Sequence, residues 1–149
     1  MDQTHLLNTF EFVITRYFAF EFCASDLASW ADGSYHVATP SQFVGILGLA
    51  NGLELVHANN RIHGHLWPRN ILISATGDRL IIADSGLVKM VRETQSYSVT
   101  SEPVTVDSDT WSMGCLFYHF LTRGHHPFGP MDRQLKINIF HGKHQLNRK

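Results

Sequence analysis

His63-Gly64-His65-Leu66-Trp67-Pro68-Arg69-Asn70-Ile71-Leu72-Ile73, then Leu80-Ile81-Ile82-Ala83 and Asp84-Ser85-Gly86, is the stretch on which the reading of this chain turns. A polar loop containing proline runs directly into a short apolar strand. A second apolar strand follows and ends on an acid and a glycine. Between them, Ala75-Thr76-Gly77-Asp78 is polar and turn-forming, so the two strands read as a hairpin over 70–74 and 79–83. That layout puts Asn70 and Asp84 at opposite ends of one small hairpin, as two oxygen ligands that could share a hard cation. Taken singly, each could equally cap a strand end, as Asn and Asp often do.

Working outward, the bulk numbers are those of a globular domain. The chain has 149 residues, 44% hydrophobic and 17% charged, with a formal net charge of −1. Such a length suits one domain with a real core. The charge balance gives no electrostatic reason to expect a nucleic-acid or membrane partner. Cys23 and Cys115 lie in apolar surroundings and read as reduced core residues in a reducing compartment. Asp2 and His5 sit where a signal peptide would need a basic and then an apolar run, and Glu21, Glu54 and His119 break the apolar stretches too early for a membrane span. The ten histidines raise the question of metal. Their groupings (His63-x-His65, His125-His126, His141-x-x-His144) have no cysteine or carboxylate at zinc-site spacing.

Along the chain, Tyr17–Cys23 alternates aromatic residues and reads as a strand. Ser25 is the expected cap of a short helix carrying Leu27 and Trp30 and stopped at Asp32-Gly33. Thr39-Pro40-Ser41 opens the clearest helix, with Pro40 at its first position and Phe43, Ile46, Leu47, Ala50, Leu53 and Val56 on its apolar face, ending near Asn59-Asn60. Gly45, Gly48 and Gly52 each weaken that helix by roughly 0.8–1 kcal/mol relative to Ala, so packing must hold it, and they leave room for a neighbouring helix. Leu87–Val106 has no period and reads as a mobile loop. Asp107-Ser108-Asp109 is the expected cap of a helix running to Arg123, ended by Gly124 and apolar on nearly every face, which predicts burial all round. A last amphipathic segment covers Met131–Phe140 before a basic tail. The fold class expected is α+β, mainly α.

With those residues placed, the chain resembles the carboxy-terminal lobe of protein kinases. It is most similar to the inositol-requiring kinase/endoribonuclease family, the unfolded-protein-response sensor. The branch rests on Tyr17-Phe18-Ala19-Phe20-Glu21-Phe22-Cys23-Ala24-Ser25-Asp26-Leu27, on Gly114-Cys115-Leu116-Phe117-Tyr118 and on Gly124-His125-His126-Pro127-Phe128-Gly129. The resemblance divides the chain into an unassigned segment, 1–14, a partial kinase-like domain, 15–142, and a basic tail, 143–149, with no N-terminal lobe. It implies ATP and Mg²⁺ as ligands. Phe20 falls at the gatekeeper, the backbone of Glu21 through Phe22 to Cys23 at the adenine-binding segment, and Asn70 and Asp84 at the metal positions. Asp109 falls where a helix acid accepts hydrogen bonds from the loop backbone around His63, so His63 and Asp109 are implied to be structural.

The departures concern chemistry. Gly64 replaces an arginine, His65 stands at the catalytic-base position, Trp67 replaces the phosphate-contacting lysine and Ser85 replaces an aromatic. Losing a positioned base costs about 10²–10⁴-fold in rate, so no residue is assigned the catalytic role and His65 is not expected to fill it. The glycine-rich loop, the strand lysine and its helix glutamate have no counterpart. Two readings follow: a pseudokinase that retains ATP and Mg²⁺ binding, or a non-enzymatic scaffold docking a protein partner or a second copy, including a fragment of a larger kinase/endoribonuclease. The resemblance implies a cytoplasmic location, its members being ER-membrane proteins with a cytosolic kinase domain.

Overall fold

A computed structural model describes residues 20–83, 105–130 and 133–144. In order these are β1 (Cys23–Asp26), α1 (Leu27–Ala31), α2 (Gln42–Ala58), a single 3₁₀ turn (Pro68–Asn70), β2 (Ile71–Ser74), β3 (Leu80–Ile82), α3 (Val106–Thr122) and α4 (Arg133–Phe140). The architecture is mixed α+β and mostly helical, with one small antiparallel sheet ordered β1-β2-β3. The hairpin stands where the turn signal places it, with Ile71 opposite Ile82 and Ile73 opposite Leu80. Its turn is tied by Ser74, whose hydroxyl donates to Asp78 Oδ1 at 2.7 Å and accepts from the Asp78 and Arg79 amides. Gly77 is required there: its φ is +71°, and a Cβ would sit 2.5 Å from the Ala38 carbonyl oxygen.

The strand over Tyr17–Cys23 needs correction. Phe20, Glu21 and Phe22 are not in a strand, and β1 begins at Cys23, pairing with Ser74 and running to Asp26 opposite Leu72; Tyr17–Ala19 lie outside the described residues. Asp26 therefore does two jobs. It ends the strand and caps α1, its Oδ1 accepting from the Ala28 and Ser29 amides at 2.9 and 3.0 Å. The cap is Asp26 rather than Ser25 because a carboxylate reaches both orphan amides.

The caps of the two long helices are likewise displaced. Ser41, not Thr39, accepts from the Val44 amide, so Pro40 precedes α2 and is buried. Thr105, not Asp107, caps α3 in a reciprocal box with Ser108, so the last two residues assigned to the 87–106 loop belong to the cap and first turn. The rest of that loop lies outside the described residues.

The buried stripe of α2 is Gly45, Leu49 and Leu53, with Ile46 packed beside it; of the expected face Leu53 and Ile46 stay inward, while Phe43 and Leu47 are 75% and 45% exposed. The cause is tertiary. Phe120 of α3 presses against Gly45, where a Cβ would come within 2.6 Å of its ring, so the helices meet on the glycine side. Nor is α3 buried all round: Met113, Leu116 and Phe120 face the core while Trp111 and Leu121 are exposed. The core gathers Leu27 and Trp30 from α1, Leu49 and Leu53 from α2, Ile71 and Ile73 from β2, and the inner face of α3. Each such buried aliphatic side chain contributes roughly 1.5–3 kcal/mol. Both cysteines are only half-buried, and desolvation pushes the Cys115 thiol up to about 11. No helix among the described residues is long and apolar enough to cross a membrane.

Candidate nucleotide site

The loop from Arg61 to Asn70 is held from behind by one carboxylate. Asp109, in the first turn of α3, is 1% exposed. Its Oδ2 accepts from the His63 amide at 2.8 Å and lies 3.0 Å from His57 Nε2, while its Oδ1 accepts from the Gly64 amide at 2.8 Å. Several charge-assisted bonds offset the cost of burying the acid, and the position at a helix N-terminus favours its negative charge. Gly64 has φ +72°, a conformation that suits glycine.

His63 is itself buried and links the loop to the hairpin. Its Nδ1 accepts from the His65 amide at 3.2 Å, which makes Nε2 the protonated nitrogen, donating to the Ala83 carbonyl at 2.8 Å. The Ala83 amide in turn donates to the Asn70 carbonyl at 2.9 Å. Asn70 and Ala83 are thus neighbours across the hairpin, so positions at opposite ends in sequence come together up to the residue before Asp84. Asp84 itself lies outside the described residues.

Asn70 is buried, and its side-chain amide donates to the His65 carbonyl at 2.9 Å. That bond fixes the amide orientation and leaves Oδ1 as the acceptor. A hard oxygen donor held in this way fits Mg²⁺. His65 is exposed, its ring 5.6 Å from that of Trp67. Neither is a carboxylate or an amine.

Glu21 to Cys23, expected to be the adenine-binding segment, stand at the other end of β2. Phe20 and Phe22 are 73% and 78% exposed, and the Glu21 carboxylate bonds Arg79 of the turn at 2.6 Å. Cys23, opposite Ser74, is half-buried, and its thiol is pushed up by desolvation first and Glu21 second. From Ser74 back to Asn70 is roughly 13 Å at about 3.3 Å per residue. Leu72 lies between them, half-buried, on the opposite face of the strand from core residues Ile71 and Ile73. The arrangement is a short ledge with backbone groups at one end and an oxygen donor at the other.

Residues 4–148 match the protein kinase domain family. The chain belongs to the protein kinase domain family. It is 36% identical over 119 residues to a probable serine/threonine-protein kinase, irlE, of Dictyostelium discoideum, covering 68% of this chain and 9% of that protein. It is also 29% identical over 164 residues to a serine/threonine-protein kinase/endoribonuclease of Caenorhabditis elegans, covering 89% of this chain and 16% of that protein. A serine/threonine-protein kinase/endoribonuclease of Hypocrea jecorina is 26% identical over 190 residues, covering 88% and 15%. The chain therefore spans less than a fifth of the length of these curated relatives. As a kinase domain it belongs to a family that uses ATP with Mg²⁺.

His57 escaped the reading of the sequence. It joins Asp109 from the last turn of α2, 52 residues away. A histidine one turn before a polar loop is a weak signal, and only the packing of α2 on α3 gives it a partner. Among the described residues no group of three or more His, Cys, Asp or Glu side chains is placed to hold a metal ion.

Proposed function

We propose that this kinase domain binds Mg-ATP on the β2 ledge but does not transfer phosphate at a useful rate, a pseudokinase of the kinase/endoribonuclease type. In this reading the backbone of Glu21 and Cys23 meets adenine, Phe20 borders the pocket, and Asn70 with Asp84 holds Mg²⁺. When bound, Mg²⁺ would neutralise phosphate charge. The chain's own groups do the rest: Asp109 and His63 hold the loop, and Leu72 supplies an apolar floor. The observation that carries the reading is the Asn70 amide bond to the His65 carbonyl, which leaves Oδ1 as an oxygen donor beside the loop where a base would be needed. His65 can accept a proton near neutral pH but brings no negative charge, and Trp67 offers phosphate no cation.

The test is thermal unfolding with and without millimolar Mg-ATP. Occupancy tenfold above the dissociation constant adds about 1.4 kcal/mol, or roughly 3–6 °C for a chain of this size. Asp84→Ala should abolish the rise and leave the nucleotide-free melting temperature unchanged, while phosphoryl transfer to protein stays at background. No rise with nucleotide would refute the binding, and transfer that His65→Ala eliminates would refute the inactivity.

The exposed side chains of Phe43, Leu47, Trp111 and Leu121 favour a second reading, a scaffold that docks a protein partner or a second copy. It predicts association that depends on concentration in sedimentation and is indifferent to Asp84→Ala.

A further inference from the structure

Past the C-terminal end of α3, and reaching the loop at Trp67-Pro68-Arg69, three concavities meet at one residue. A cleft of about 510 Å³ runs past Trp30, Pro40 and Gln42, another of about 360 Å³ lies between α1 and Pro68-Arg69, and a third of about 460 Å³ borders Tyr35, His36 and Val37. Arg123 lines all three. Its backbone is in the left-handed region (φ 57°, ψ 57°), a conformation that disfavours a long side chain and that glycine adopts freely. Its guanidinium carbon lies 5.0 Å from the Trp30 ring centroid. Stacking of that kind covers a face and leaves the N–H edge to donate. Among the described residues the Arg123 guanidinium has no salt bridge and no hydrogen bond.

The lining is locally basic on a chain whose net charge is −1. Arg69 and Arg123 contribute positive charge, and Asp32 is the one acid among the lining residues. Its Oδ1 accepts from the Ser34 amide at 2.8 Å, and its carboxyl is held below the usual range chiefly by Ser34 and weakly by Arg69, so it offsets part of the Arg69 charge and none of that on Arg123. A string of clefts exceeds what a single small anion fills, and the exposed Tyr35 and half-buried Val37 offer apolar contact for side-chain stems. A nucleic acid would need a longer row of cations than two arginines supply.

We propose that this groove docks an acidic segment of a partner polypeptide, with a carboxylate on Arg123 and a second on Arg69. The pair is charge-assisted and planar, the geometry in which arginine is selective for carboxylate.

The test is fluorescence anisotropy on the full-length chain with a labelled Glu/Asp-rich peptide and its Gln/Asn analogue. The acidic peptide should bind on the order of tenfold more tightly at low salt, the advantage shrinking as salt rises. Arg123→Gly keeps the fold, because glycine relaxes the left-handed position, so its melting temperature should stay level or rise. Its affinity for the acidic peptide should fall most of the way to that of the analogue, the Arg69 contact keeping the remainder, and Arg123→Lys should retain more. Equal binding of the two peptides, or full acidic-peptide affinity in a folded Arg123→Gly chain, overturns the proposal. So does equal competition by a single-stranded oligonucleotide of matched charge.

Discussion

The two ends of α3 treat buried polar groups in opposite ways. At the N-terminal end, Asp109 is enclosed and fully engaged, by the His63 and Gly64 amides and by His57. At the C-terminal end, His119 is 6% exposed, and neither ring nitrogen has a hydrogen-bond partner among the described residues. Burial holds its pKa below the usual value, the nearby His126 adds to the shift, and a polar contact with the Leu27 backbone, too poor in geometry to count as a hydrogen bond, opposes it without reversing it. One end of the helix is therefore locked to the site's loop. The other is packed but electrically unsatisfied, close to the groove that Arg123 overlooks. Polar satisfaction marks what the fold must keep fixed, and its absence marks where the fold tolerates cost.

The largest way to break this contrast is Asp109→Ala. It leaves two amides and His57 facing a void, and an unmade buried network of this kind costs on the order of 3–5 kcal/mol. Urea unfolding should show a collapse of the midpoint or no cooperative transition; a loss under 1 kcal/mol would mean the loop is held by something else. Next is Gly45→Ala, which drives a methyl into the Phe120 ring beside His119. Overpacking costs about 1–3 kcal/mol, and Phe120→Leu in the same chain should recover part of it.

The smallest effect sharpens the contrast rather than breaking it. A histidine whose folded pKa is depressed binds fewer protons folded than unfolded, so stability falls as pH drops below about 6.5 and levels off below the folded value. His119→Phe keeps the ring and removes the nitrogens. Unfolding free energies at pH 7.5 and 5.5 should lie closer together in the variant than in the parent. An unchanged difference would assign the pH dependence to other histidines.

The hairpin was legible because Thr76-Gly77-Asp78 is a local signal flanked by β-branched runs, and the glycine stops at Gly33 and Gly124 were legible for the same reason. Caps were missed by a residue or two, at Asp26, Ser41 and Thr105, since neighbouring Ser, Thr and Asp compete for the role and geometry alone selects among them. The face of α2 was misjudged because apolar residues occupy several of its sides, whereas the room its glycines leave for a neighbouring helix is where Gly45 meets Phe120. At the candidate site, the loop residues stood out as a group. His57 did not, since nothing within a few residues of it predicts Asp109.

By itself, the sequence determined the kinds of element, their order, and the loop-and-hairpin pattern by which the chain is recognisable as kinase-related. These depend on short-range periodicity and turn chemistry, which act within a few residues. Only the tertiary structure decided which face of each helix is buried, which nitrogen of His63 carries its proton, and that Asp109 is satisfied while His119 is not. Those outcomes depend on groups brought together from distant parts of the chain, where small differences in approach decide whether a buried polar atom finds a partner.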